Sequence, residues 1–169
     1  PNPWDDLVNT CDALNNSTPA ALDSLLPNVL DIDRTLWFLA SEILFCDDDS
    51  YVYKGKMDYY LYYEKETGRI APQEYDGNSA LELNLATSWS PFYHETNVNY
   101  PLLNKILARP EWRQRYLAHM RTFVNEQMKS GQMMTRALAM SKEIEPYIKQ
   151  DTMKLYSYLD FQQSLDKTM

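Results

Sequence analysis

Glycine is scarce in this chain, and the four that occur, Gly55, Gly68, Gly77 and Gly131, are scattered. That excludes a glycine-rich phosphate loop or Walker A motif within these residues. Cysteine is scarcer still. Cys11 and Cys46 are too few for a disulfide framework and badly spaced for zinc, leaving either one bridge between helices or two buried thiols. The two histidines, His94 and His119, are too distant in sequence to suggest a chelate, and neither cysteine has an electropositive setting. No Gly-x-Ser-x-Gly elbow is present, so serine nucleophile chemistry has no motif. No apolar run is long enough to span a membrane. Basic residues are outnumbered 16 to 24, and the net charge of −8 repels a nucleic-acid backbone.

What is present reads as one domain, α+β but mostly helical, with 44% hydrophobic residues to fill a core. The chain opens on Pro1-Asn2-Pro3-Trp4 without an initiator Met or signal peptide, and is expected to be a piece of something longer. Trp4, Leu7, Val8, Cys11 and Leu14 recur at helical intervals. Thr18 with Pro19 marks a second helix, expected to end before Pro27. Asp31 caps a third, whose face carries Ile32, Leu36, Leu39, Ala40, Ile43 and Leu44. Pro101 and Pro110 open later helices. Gly131 marks a break before helical patterns over Met133 to Lys149, kinked at Pro146, and Tyr156 to Leu165. Met120, Met133, Met134 and Met140 read as helix packing.

Between these helices lies a tyrosine-rich ribbon bracketed by acids. Asp47-Asp48-Asp49-Ser50-Tyr51 follows the third helix directly, where negative charge meets the negative end of the helix dipole. Retaining three carboxylates there points to a cation or a proton, unless they form a plain acidic turn facing water. Met57 to Glu64 is β-prone, Lys65-Glu66-Thr67-Gly68 is a turn, and Arg69 to Tyr75 is the return strand, with Pro72 favouring an edge or bulge. Glu74-Tyr75-Asp76-Gly77-Asn78 is the second acidic centre, and Asp76-Gly77 also reads as an ordinary turn. A hairpin with carboxylates at entry and exit can gather them around a hard divalent cation, Mg²⁺ or Mn²⁺, of the kind that neutralises transferring phosphates. From Gly77 to Asn99 a long irregular loop is expected, ordered by Trp89, Phe92, Tyr93 and His94, with His94 a candidate to line a cleft.

Asp31-Ile32-Asp33-Arg34-Thr35-Leu36-Trp37-Phe38-Leu39-Ala40, Asp49-Ser50-Tyr51, Asp58-Tyr59-Tyr60-Leu61-Tyr62 and Tyr75-Asp76-Gly77-Asn78 occur in an order that resembles the CotH family. Pro101-Leu102-Leu103, Pro110-Glu111-Trp112-Arg113 with Tyr116-Leu117, and Asp151-Thr152-Met153-Lys154-Leu155-Tyr156 are similar to its helical C-terminal part. The resemblance implies a distant kinase-like fold, here its C-terminal portion over residues 1–169, and a spore-coat or secreted atypical protein kinase. It implies Asp49 as catalytic base and Asp76 as the ligand that holds metal against ATP, with Asn78 and Asp58 in the same metal shell. Lys54 and Lys56, near Asp49, are the lysines within reach of a phosphate, Lys54 being the candidate, beside the plain reading of both as surface lysines.

Three departures make the site more acidic or break the pattern. Asp47 stands where the family commonly has Asn, Asp58 where an amide is frequent, and Ser79-Ala80-Leu81-Glu82 replaces a Phe-Gly continuation. With no phosphate cradle here, the nucleotide-gripping half is expected upstream of Pro1. The implied function is metal-dependent phosphoryl transfer from ATP to Ser or Thr of an extracytoplasmic coat or surface protein. The alternatives are a turnover-free assembly module, and a glycan-handling domain using Asp49 and Glu74 with aromatic platforms.

Overall fold

Helix α3 (Ile32–Leu44) organises the fold. Asp31 caps it, its Oδ1 accepting a hydrogen bond from the Arg34 amide at 3.2 Å, which satisfies one of the orphan amides of the first turn. Leu36, Leu39 and Ala40 are wholly buried on its inner face. Each such leucine contributes about 1.5–3 kcal/mol by leaving water. The computed structural model describes residues 4–53, 56–81 and 89–167. These hold seven α-helices and one antiparallel two-stranded ribbon, an α+β fold that is mostly helical.

The chain divides into two units, Pro1–Arg121 and Thr122–Met169. In the first, α1 (Asp5–Asn16) and α2 (Pro19–Val29) precede α3. β1 (Tyr59–Glu64) and β2 (Arg69–Glu74) then pair in register from Tyr59 with Glu74 to Glu64 with Arg69. Gly68, at φ 69°, makes the expected turn, a backbone conformation that only glycine adopts cheaply. On the second edge of β2 an isolated parallel bridge joins Leu30 and Ile70, where the Asp31 amide donates to the Ile70 carbonyl at 2.8 Å. Pro72 pairs opposite Leu61 in this edge-like strand. Buried Ile70 and Ala71 press the ribbon onto the core, which Leu26, Leu30, Leu103, Ile106 and Tyr116 complete. α4 (Pro101–Leu107) and α5 (Pro110–Thr122) supply the last three.

Three local expectations change. α2 does not stop before Pro27 but runs through it to Val29. The missing amide falls in the last turn, and burial of Leu22 and Leu26 outweighs the lost bond. On α1, Trp4 and Val8 are 65% and 60% exposed, while Thr10 and Leu14 are buried. On that buried face the Thr10 hydroxyl is satisfied by the Asp6 carbonyl of its own helix at 2.8 Å, and it also reaches the Val29 carbonyl at the end of α2, at 3.3 Å. The cysteines are both free, Cys46 buried and Cys11 exposed, so neither a bridge nor a matched buried pair is formed.

In the second unit a π-helical turn, Phe123–Met128, leads to α6 (Gln132–Gln150), with Gly131 at φ 72° before it and Pro146 in its interior. α7 (Tyr158–Lys167) follows. Glu145 joins α6 to α7 by accepting from the Tyr158 hydroxyl, and it also pairs with Lys149 at 2.9 Å. Met140 is 63% exposed, so it does not pack as the methionine pattern suggests. None of the helices among the described residues is long and apolar enough to cross a membrane.

Candidate functional site

The acidic turn starts where α3 runs out of helical partners. Cys46 takes a left-handed backbone, φ 48°, and the Asp47 amide reaches back to the Glu42 carbonyl at 3.3 Å. Asp47 Oδ1 accepts from the Asp49 amide at 3.3 Å, an Asx-type turn that folds the carboxylates over the helix end. Tyr51, 3% exposed, anchors the turn from below, its hydroxyl oxygen accepting from the Leu102 amide at 3.1 Å. That amide belongs to the first turn of α4 and has no helical partner, so one bond satisfies both groups. Tyr51 also meets Tyr59 and Tyr100 edge-on, at 5.6 Å and 5.9 Å between ring centroids.

The second acidic centre is zipped to the first. The Asp48 amide donates to the Ser79 carbonyl at 3.2 Å, and the Leu81 amide to the Phe45 carbonyl at 2.6 Å. Ser79 Oγ donates to Asp49 Oδ2 at 3.0 Å. A Cβ placed on Gly77 would stand 4.0 Å from Asp47 Oδ2, so the two segments lie against each other. Asp76 caps the short 3₁₀ turn Gly77–Ser79 in a left-handed conformation, φ 50°. Within this Asp-Gly pair the positive φ sits on the aspartate.

The residues singled out by sequence fall as follows. Asp49 is half-buried and held by Ser79. Asp76 and Asn78 are exposed and neighbour Ser79 in sequence, on the segment bonded to the acidic turn. Asp58 is half-buried, at φ 50°, and its charge acts on Asp47. Lys54 lies outside the described residues. Lys56 places its ammonium 4.6 Å from the Tyr100 ring centroid. No three His, Cys, Asp or Glu side chains among the described residues stand at metal-holding distance around one point.

Glu42 is the residue that the motifs miss. It is 2% exposed, and both its oxygens are buried without a hydrogen bond of acceptable geometry, although Ser50 and Glu74 stand close enough to act on its protonation. Burial, then the Glu74 charge, push its carboxyl up to about 9. Burial likewise raises Asp47, opposed by the hydrogen bond from the Asp49 amide and reinforced by the charges of Glu74, Asp49 and Asp58. A sequence signal did exist, since Glu42 lies three residues after Leu39 on an otherwise apolar helix face.

Beside this site an aromatic stack orders the loop before α4. Trp89 lies parallel to Tyr93 at 5.3 Å, and His94 stacks on Tyr100 at 4.0 Å. The Tyr100 hydroxyl donates to the Tyr53 carbonyl at 2.9 Å, which ties the stack to the strand-entry loop. His94 is therefore a packing residue of this loop. His119 bridges helices, meeting Asp33 Oδ1 at 2.9 Å and stacking on Trp37.

No curated protein matches this chain. The sequence model of the family described as CotH kinase protein matches residues 1–168, which spans the acidic turn, the ribbon and every helix described above. On that coverage, the chain belongs to the CotH kinase family, and its domain is kinase-like.

Proposed function

We propose that this domain transfers the γ-phosphoryl group of ATP to a Ser or Thr hydroxyl of an extracytoplasmic coat or surface protein. Its family supports ATP use and a protein substrate. The observation that carries the reading is the pairing of the two acidic segments through Asp48, Asp49 and Ser79. In this reading Asp49 accepts the proton of the attacking hydroxyl, and the Ser79 hydroxyl fixes the orientation of its carboxylate.

The donors suit a hard divalent cation. Asp76, Asp58 and Asn78 offer only oxygen, and Mg²⁺ needs one or two carboxylates when phosphate oxygens and water complete its shell. That economy is compatible with the absence of a three-acid cluster among the described residues. When bound, such a cation would neutralise charge on the transferring phosphoryl group. Asp76, Asn78 and Asp58 would hold it, and Asp49 would orient the hydroxyl.

Calorimetry with Mn²⁺-ATP tests the assignment together with a labelled-ATP phosphotransfer assay. Asp76→Ala is expected to abolish metal-dependent nucleotide binding. Asp49→Asn is expected to retain binding and to lose about 10²- to 10⁴-fold in turnover. Unchanged nucleotide affinity in Asp76→Ala would overturn the metal assignment, and undiminished turnover in Asp49→Asn the base.

A further inference from the structure

Glu42 projects from the buried face of α3 one turn ahead of the acidic turn, and neither of its oxygens is partnered among the described residues. Ser50 Oγ, fully buried, is unpartnered too. Glu74, at the exit of β2, reaches the same place from the other side, its Oε1 accepting from Ser41 Oγ on α3. Its charge acts on Glu42 more strongly than that of Asp47, the other acid felt there. Asp47 itself is 6% exposed. Glu42, Ser50 Oγ and Glu74 thus meet between the end of α3 and the end of β2, with the Asp47 carboxyl close enough for its charge to be felt. A space that needed only filling is better filled by an apolar side chain, since buried acids without a counter-charge lower stability.

We propose that Glu42 and Glu74, with Ser50 Oγ and with Asp47 behind them, form an inner cation site that takes a hard divalent ion without nucleotide. The donors are all hard oxygens, which selects Mg²⁺, Mn²⁺ or Ca²⁺ over thiophilic metals. Two carboxylates, a hydroxyl and retained water suffice for such an ion, and a triple of acidic side chains is not required. Occupancy ties α3 to the exit of β2 and so holds the turn that carries Asp49. The site is structural, and it stands or falls independently of phosphoryl transfer.

The test uses the whole chain, without nucleotide, titrated with Mg²⁺, Mn²⁺ and Ca²⁺ at about pH 7.5. Calorimetry and thermal unfolding are the readouts, with Tb³⁺ luminescence sensitised by the nearby tyrosines as a third. Wild type is expected to show saturable binding of at least one ion and a raised Tm. Glu42→Gln and Glu74→Gln are each expected to weaken that binding tenfold or more, while Asp76→Ala leaves it within twofold. Glu74 is exposed, so its variant reports even if the buried substitution impairs folding. Absence of binding in the wild type, or equal binding in Glu74→Gln, overturns the inner site. Loss of binding in Asp76→Ala alone reassigns it to the outer acids and likewise overturns it. None of these results bears on whether Asp49 is a catalytic base.

Discussion

Ser79 Oγ donates to Asp49 Oδ2 across 3.0 Å, joining the segment that enters the ribbon to the one that leaves it. The bond fixes the carboxylate that the proposed mechanism needs as a base. A group that orients a reacting residue usually contributes about 10- to 100-fold. Ser79→Ala is therefore expected to lower phosphotransfer about tenfold while metal-nucleotide affinity stays within about twofold. Kinetics that separate kcat from KM check this, and a loss confined to KM would contradict it.

Glu42 makes stability depend on pH in an unusual direction. In the folded chain its carboxyl is held neutral up to about 9, against an ordinary value of 4.5. Between those values the folded state binds the extra proton, so unfolding free energy declines as pH rises through this window. Asp47, also raised, adds with the same sign. Chemical denaturation in metal-free buffer at about pH 5, 7 and 9 is expected to show that decline, and Glu42→Gln to flatten it. A wild type equally stable at both ends of the window would refute the assignment.

His94 acts at the other end of the scale. Burial, and then the Lys56 charge, hold it below its usual range. The folded state thus favours the neutral ring, and its contribution, complete above about pH 6.5, fades as pH falls below that. His94→Asn keeps a residue tolerant of the left-handed backbone, φ 59°, but removes the stack on Tyr100. It is expected to cost about 0.5–1.5 kcal/mol near neutral pH and less in acid. Denaturation followed by tryptophan fluorescence, which Trp89 reports, measures both.

Capping and burial can be separated on the first helices. Asp31→Ala removes the cap of α3 and an ion pair with Arg69 at 3.5 Å, an expected loss of about 1–2 kcal/mol. Val8→Ser, on the exposed face of α1, is expected to change stability by less than about 0.5 kcal/mol. Paired urea titrations check the contrast. A costly Val8→Ser would restore the apolar face that periodicity alone suggests.

Much of the architecture was legible because its signals are local. Thr18 with Pro19, Asp31 and the two later prolines mark helix starts through backbone chemistry that acts within one turn. Gly68 marks the hairpin in the same way. The rotation of α1 was not legible, because Trp4, Val8 and Leu14 compete for one face and neighbouring elements choose the winner. Nor was the passage of α2 through Pro27, which depends on how much Leu22 and Leu26 gain by burial. Of the candidate site, the acidic segments were readable as motifs, whereas Glu42 looked like one more charge on a helix.

Residue order alone sufficed for the family, for the helix-and-hairpin plan and for the acids at both ends of the ribbon. Each of these is written in spacing or in single-residue backbone preferences. Folding added which acids lose water and which keep it: Glu42 and Asp47 are buried, while Glu74 and Asp76 stay exposed. Desolvation depends on every neighbour at once, from elements far apart along the chain, so no local pattern encodes it.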